Sequence, residues 1–88
     1  MITKDYIILS PQGLHARPAT TLIRLVKTFQ SVISIKKGEK TVRLNSMINL
    51  LSLTIKGGET ITIIIDGEDE TSAAIALDQF FAEQLKDL

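Results

Sequence analysis

Not one residue of this chain is a cysteine, and with only 88 residues to work with, that absence constrains the fold more than any other feature. A domain of this size buries only about 60–65% of the surface its unfolded form exposes, so its core is thin. No covalent staple can compensate, and a disulfide scaffold and a thiolate metal site are both excluded. Stability must come from apolar packing, which a hydrophobic content of 44% permits. The lack of cysteine fits a reducing compartment, and a cytoplasmic protein is expected. A single histidine leaves too few ligands for a classical zinc site, so neither metal nor cofactor is expected. The longest unbroken apolar run is Ala73–Leu77, five residues. A membrane span needs about 20, and the first residues lack the charged-then-apolar pattern of a signal peptide. Neither membrane insertion nor export is expected.

The hydrophobic period changes several times along the chain, which predicts one domain over 1–88 with mixed elements. Tyr6–Leu9 is a short apolar run closed by Ser10-Pro11-Gln12-Gly13, a buried strand and then a loop. From Arg17 the spacing becomes helical, with Ala19, Leu22, Ile23, Val26 and Phe29 on one face, predicting a helix that ends near Thr28. Val32–Lys36 and Lys40–Leu44 read as strands joined by a hairpin turn at Lys37-Gly38-Glu39. Ser46 is a plausible N-cap for one or two helical turns within Met47–Leu53. Gly57-Gly58 breaks the chain. Thr60–Ile65 alternates Thr and Ile before shifting at Ile64, a β-branched strand ended by Asp66-Gly67. Asp69 or Thr71 can cap a last helix whose apolar stripe is Ala73, Leu77, Phe80, Phe81 and Leu85. The order β-α-β-β-α-β-α predicts an α+β fold of two layers, an antiparallel sheet with helices on one side.

A net charge of zero hides a division along the chain. Residues 1–58 hold nine Lys and Arg against two acidic residues, a balance of +7, and residues 59–88 hold one Lys against eight acidic residues, a balance of −7. Such a chain can present a basic surface that steers an acidic partner, although ordinary solvated faces would give the same counts. Nucleic acid is a poor fit, because there are only four aromatic residues and no basic stripe interleaved with them.

The segment Gly13-Leu14-His15-Ala16-Arg17-Pro18-Ala19 carries the chemistry. Gly13 permits a tight loop, and His15 falls at the N-cap of the first helix or one residue before it. Pro18 lacks an N–H, but donors in the first turn have no intrahelical acceptor anyway. The Ala16 and Arg17 amides remain free at the positive helix end, a ready site for an anion, and Arg17 adds a full charge with fork geometry. A neutral imidazole is a nucleophile near physiological pH. A phosphoryl group on its ring would lie where those amides and Arg17 can bind the oxygens. The plain alternative is a histidine that only caps the helix or sits half-exposed.

The same segment resembles the active-site signature of the HPr family, the histidine-containing phosphocarriers of the sugar phosphotransferase system. The resemblance extends to length, element order, the Asn45-Ser46 site and the turn Asp66-Gly67-Glu68-Asp69-Glu70, and so covers essentially the whole chain. It implies an open-faced sandwich, a four-stranded antiparallel sheet with three helices on one face. It also implies a shuttle and not an independent enzyme. Enzyme I would phosphorylate His15, on Nδ1 by family analogy, Arg17 would bind the group, and sugar-specific IIA domains would accept it. Partners would dock on the starts of the first two helices, here Thr20, Thr21, Arg24, Met47, Ile48 and Leu51, with Ile48 or Leu51 also open to a core role. A monomer is expected.

Ser46 matches the family's regulatory serine, the target in some members of HPr kinase/phosphorylase, with a transcriptional regulator as downstream partner. Plain N-capping is the alternative. Asn49 and Thr54 replace glycines of the regulated pattern and weigh against kinase docking and corepressor function. A regulatory binding module acting through Ser46 is therefore the second functional reading, and nitrogen-type regulation is an open role beside sugar transport. The retained histidine favours the carrier. A hydrolase built on His15 is disfavoured, since no second catalytic group lies near it in sequence and a small shallow fold offers little pocket.

Overall fold

A computed structural model describes residues 1–85. The elements are β1 (Ile2–Ile7), α1 (Ala16–Val26), β2 (Val32–Lys37), β3 (Lys40–Arg43), α2 (Met47–Leu51), β4 (Thr60–Asp66) and α3 (Glu70–Gln79), in the predicted order. The four strands form one antiparallel sheet in the order β1-β4-β2-β3. Ile61, Ile63 and Ile65 of β4 lie beside Ile33 and Ile35 of β2 on the covered face, all almost fully buried. Leu22, Ile23 and Val26 of α1, Leu50 of α2 and Ala73, Ala74 and Leu77 of α3 close that face into one core. The other face is open. It carries Thr3, Asp5, Thr60, Thr62, Ser34 and Lys36, with Ile64 between Thr3 and Ser34. The apparent break in the Thr–Ile alternation at Ile64 is therefore an isoleucine on the open face, and the strand keeps its period of two.

Several boundaries differ from the sequence reading for local reasons. β1 begins at Ile2 and not Tyr6. Polar Lys4 hid the inward period, but its ammonium meets Asp78 of α3 at 2.7 Å and the Tyr6 hydroxyl donates to the same carboxylate. Both pull β1 onto the helix layer, and they hold the Asp78 carboxyl below the usual range, Lys4 contributing most. α1 stops at Val26 because the next amides tighten, Thr28 N–H to Leu25 and Phe29 N–H to Val26. α2 stops at Leu51 in the same way, with Leu53 and Thr54 bonding three residues back. The stripe foreseen for the last helix is buried, and the helix widens into a π turn over Phe80–Gln84 where two adjacent rings both enter the core. Phe81 stacks on Tyr6 at 4.6 Å and meets the edge of Phe80 at 5.0 Å.

Asp69 occupies the N-cap of α3 but makes no capping bond with its side chain, and Thr71 does not cap either. The Asp69 carboxylate reaches across to the loop before β2, where it accepts the Gln30 amide at 2.7 Å, the Ser31 amide at 2.9 Å and the Ser31 hydroxyl. Gly67 lies so close to Ser31 that a Cβ would stand 2.5 Å from its Oγ. The Ser31 hydroxyl, followed by the Gln30 amide, holds the Asp69 carboxyl below its usual 3.8. A depressed carboxyl stabilises the fold above its unfolded pKa and loses that contribution as pH falls through the folded value. Asp69→Asn should therefore melt at a lower temperature than the parent at pH 7, and the gap should close as pH drops below about 3.8. A pH series of thermal melts checks this.

Thr54 is the only non-glycine with positive φ among the described residues, at 50°. A β-branched side chain in the left-handed region is a true outlier, and that region costs an L-residue about 1–2 kcal/mol. Glycine removes the strain but adds unfolded-state entropy of about 0.5–1 kcal/mol. Thr54→Gly should accordingly raise stability by about 0.5–1 kcal/mol, read by denaturant titration.

Candidate functional site

His15 is the N-cap of α1, in extended backbone at φ −79° and ψ −173°, and its side chain makes no capping hydrogen bond. The His15 carbonyl accepts the Ala19 amide at 3.0 Å, which starts the helix. Pro18 has no N–H, so two donors remain at this end, the amides of Ala16 and Arg17. Among the described residues neither finds an acceptor. The hydroxyls of Thr20 and Thr21 point back along the helix, donating to the Ala16 and Arg17 carbonyls at 2.8 and 3.4 Å. Arg17 is exposed and in no ion pair among the described residues. Pro18 and Ala19 are buried and anchor the first turn.

The two nitrogens of the half-buried His15 ring differ. Among the described residues Nε2 is buried and has no partner. Nδ1 also lacks a hydrogen bond among them but does not share that burial, so it is the more open of the two nitrogens. The loop that leads into His15 is held by its backbone. The Gly13 amide donates to Ser10 at 3.0 Å, and the Leu14 amide donates to the Ile55 carbonyl at 3.0 Å, with the Leu14 side chain in the core. Gly13 sits at φ +71°, and a Cβ there would stand 2.2 Å from the Ile55 oxygen. A Cβ on Gly57 would stand 2.6 Å from the Ser10 oxygen. The two loops touch backbone to backbone. Sequence reading saw Gly57-Gly58 only as a chain break and missed Ile55 altogether. A glycine pair facing a loop with its own glycine is the one signal that could have found this contact.

The structure places the other predicted residues around this end. Thr20 approaches Met47 of α2, with 3.8 Å between hydroxyl and sulfur. Met47 packs against the core, Thr21 is half-exposed and Arg24 is exposed. Ile48 is 82% exposed and Leu51 41%, so neither is core, and the neighbouring Leu50 fills that role. Ser46 is the N-cap of α2, its Oγ accepting the Asn49 amide at 3.1 Å. The Asn49 side-chain amide donates to the Asn45 side chain at 3.1 Å, which gives the residue in place of glycine a structural use. No group of three or more His, Cys, Asp or Glu that could hold a metal occurs among the described residues. A cleft of about 230 Å³ lies at the other end of α1, between Lys27, Phe29, Arg43 and Asn45, and His15 does not line it. No helix among the described residues is long and apolar enough to cross a membrane.

The fold and this helix start define a class of small open-faced α+β sandwich with a histidine at an uncapped helix end. The family described as "PTS HPr component phosphorylation site" matches residues 2–83. The chain is similar to the phosphocarrier protein HPr of Lysinibacillus sphaericus, 35% identical over 83 residues, 94% of each chain. Its fold is similar to that of HPr-C-His from Thermoanaerobacter tengcongensis, at 30% identity and a TM-score of 0.92, covering 100% of this chain and 98% of that one. It is also similar to Crh, the Bacillus subtilis catabolite repression protein described as a swapped dimer, at 31% identity and a TM-score of 0.74, covering 94% and 95% of the two chains. The chain belongs to the HPr family of the phosphotransferase system.

Proposed function

We propose that this protein, acting as a single HPr-like domain, carries a phosphoryl group on Nδ1 of His15. It takes the group from Enzyme I and gives it to IIA domains of sugar permeases. The observation that carries this reading is the N-cap of α1, where a histidine leaves two helix amides unpaired next to the more open of its own nitrogens. The Nδ1 lone pair attacks phosphorus while the bond to the donor breaks, and the ring proton resides on the covered Nε2. Return to an acceptor reverses the step. The Ala16 and Arg17 amides and the Arg17 guanidinium are the donors for the phosphoryl oxygens. Thr20, Thr21, Arg24, Met47, Ile48 and Leu51 form the proposed docking face, where the exposed Ile48 and Arg24 suit a partly apolar, partly acidic partner surface. The protein is read as cytoplasmic and monomeric.

A second reading, regulation through Ser46, is supported by the likeness to Crh and by a hydroxyl seated at a helix start. The retained His15 with its open nitrogen favours the carrier.

His15→Ala should abolish Enzyme I-dependent labelling from phosphoenolpyruvate and leave the circular dichroism spectrum unchanged. Full labelling of that variant at another residue would overturn the assignment. Arg17→Ala removes charge-assisted hydrogen bonds, which are worth about 1.5–3 kcal/mol each. It should slow transfer in at least one direction by about tenfold or more. The melting temperature should hold or rise slightly, because a cation in the first turn opposes the helix dipole. Rapid-quench transfer rates and a thermal melt decide between this role and that of a solvated side chain.

A further inference from the structure

Lys37 ends β2 on the covered side of the sheet, in line with Ile33 and Ile35, and lies directly opposite Lys40 in the hairpin. Like charges face to face are unfavourable, and a cation on that side needs acceptors. The Lys37 ammonium has three donors, and three acceptors lie within reach. They are the Thr54 carbonyl at 2.7 Å, the Glu59 carboxylate at 3.0 Å and the Leu53 carbonyl at 3.3 Å. Glu59 is itself tied in, since its carboxylate accepts the Lys56 amide and its carbonyl accepts the Ile8 amide at 2.9 Å. Thr54 is the strained left-handed residue, and its successor Ile55 presents the carbonyl that receives Leu14, the residue before His15. From Lys37 to His15 the path is therefore two hydrogen bonds and two peptide links.

We propose that Lys37 is a positioning residue for the reacting histidine. Its ammonium holds the bend at Leu53-Thr54, so that the Ile55 carbonyl stays aimed at the Leu14 amide and the His15 ring keeps Nδ1 outward. The clamp rests on the reading of His15 as the phosphoryl acceptor. Glycine at position 54 would take the left-handed bend unaided, whereas threonine requires a hold, and Lys37 supplies it. Glu59 fixes the ammonium and draws the far side of the same loop toward Ile8. The carboxyl of Glu59 is held below its usual range by the Lys56 amide first and Lys37 second, in keeping with this contact.

The test compares the full chain with Lys37→Met and with Lys37→Met combined with Thr54→Gly. Two quantities are read: amide hydrogen exchange by NMR, and the rate of Enzyme I-dependent labelling as Enzyme I is varied. Lys37→Met should speed exchange at Leu14 by about tenfold while Ile63 in the central strand keeps its protection. It should lower the maximal labelling rate by about threefold or more, because a small displacement of a reacting group is costly. The half-saturating Enzyme I concentration should change by less than about twofold, since Lys37 lies outside the docking face. Thr54→Gly in the same chain should restore both readouts. Unchanged exchange at Leu14, an equal loss of protection at Leu14 and Ile63, or a failure of Thr54→Gly to rescue would each overturn the proposal. If the parent chain takes no label, the carrier reading fails, while the exchange comparison still decides whether Lys37 holds the loop.

Discussion

The contact on which the site depends is between two stretches of backbone. Residues Ser10–Leu14 and Ile55–Gly58 meet with no side chain between them. Gly13 and Gly57 are the residues that make this approach possible. One main-chain hydrogen bond, Leu14 to Ile55, joins the two stretches, and two more beside them, Ile8 to Glu59 and Gly58 to Ile8, continue the seam toward β1. Buried main-chain donors and acceptors must be paired, and here the pairing does two tasks. It extends the β1–β4 ladder past the end of β1, and it seats the histidine at the start of α1. The sheet and the site are thus parts of one hydrogen-bonded structure. Peptide groups do not swing through rotamers as side chains do, so the histidine inherits the rigidity of the sheet edge.

The charge division along the chain resolves into a division of labour. Acidic residues of the last third are engaged locally: Asp69 with Gln30 and Ser31, Asp78 with Lys4 and Tyr6, and Glu59 with Lys37 and Lys56. Each ties an element of the C-terminal part to one from the N-terminal part. Many basic residues stay unspent. Among the described residues Arg17, Arg24, Lys27, Lys36, Lys40 and Arg43 form no ion pair. Two of these, Arg17 and Arg24, lie on α1, the helix that His15 caps, and Lys27 follows at its C-cap. Exposed pairs contribute little to stability, so acids engaged in this way act chiefly through hydrogen bonds, whereas unpaired cations create a long-range field at the site.

Features set by local pattern were legible in the sequence. The helical stripe of Leu22, Ile23 and Val26, the alternation of Ile61, Ile63 and Ile65, and the capping role of Ser46 each follow from a few neighbouring residues. The Gly-His-Arg-Pro grouping likewise pointed to a helix start with free amides. What the sequence hid depends on residues distant along the chain. Lys4 looked like a solvated interruption until Asp78 came to lie beside it, and Asp69 looked like a helix cap until the loop at Gln30-Ser31 offered better donors. Thr54 as a residue type gives no sign of a left-handed backbone; only its place at a family glycine hints at the φ of 50°. Ile55 acts through its carbonyl, which every residue type shares, so no pattern of side chains could reveal it.

The two helix starts of this chain expose the cost of keeping a site open. At α2 a serine oxygen meets the Asn49 amide, and that bond supports a helix of five residues, too short to persist unaided. At α1 a histidine stands where serine or aspartate would cap well, and the amides go unpaired, a choice that forgoes about 0.5–2 kcal/mol. The longer helix tolerates this because Pro18, Ala19, Leu22, Ile23 and Val26 bury one side of its 11 residues in the core. A cap formed by a side chain would occupy the donors permanently, whereas in the proposed carrier role a phosphoryl group would occupy them only while it is carried. The missing cap leaves this helix end open to an anion, and the core beneath α1 is what makes that omission tolerable.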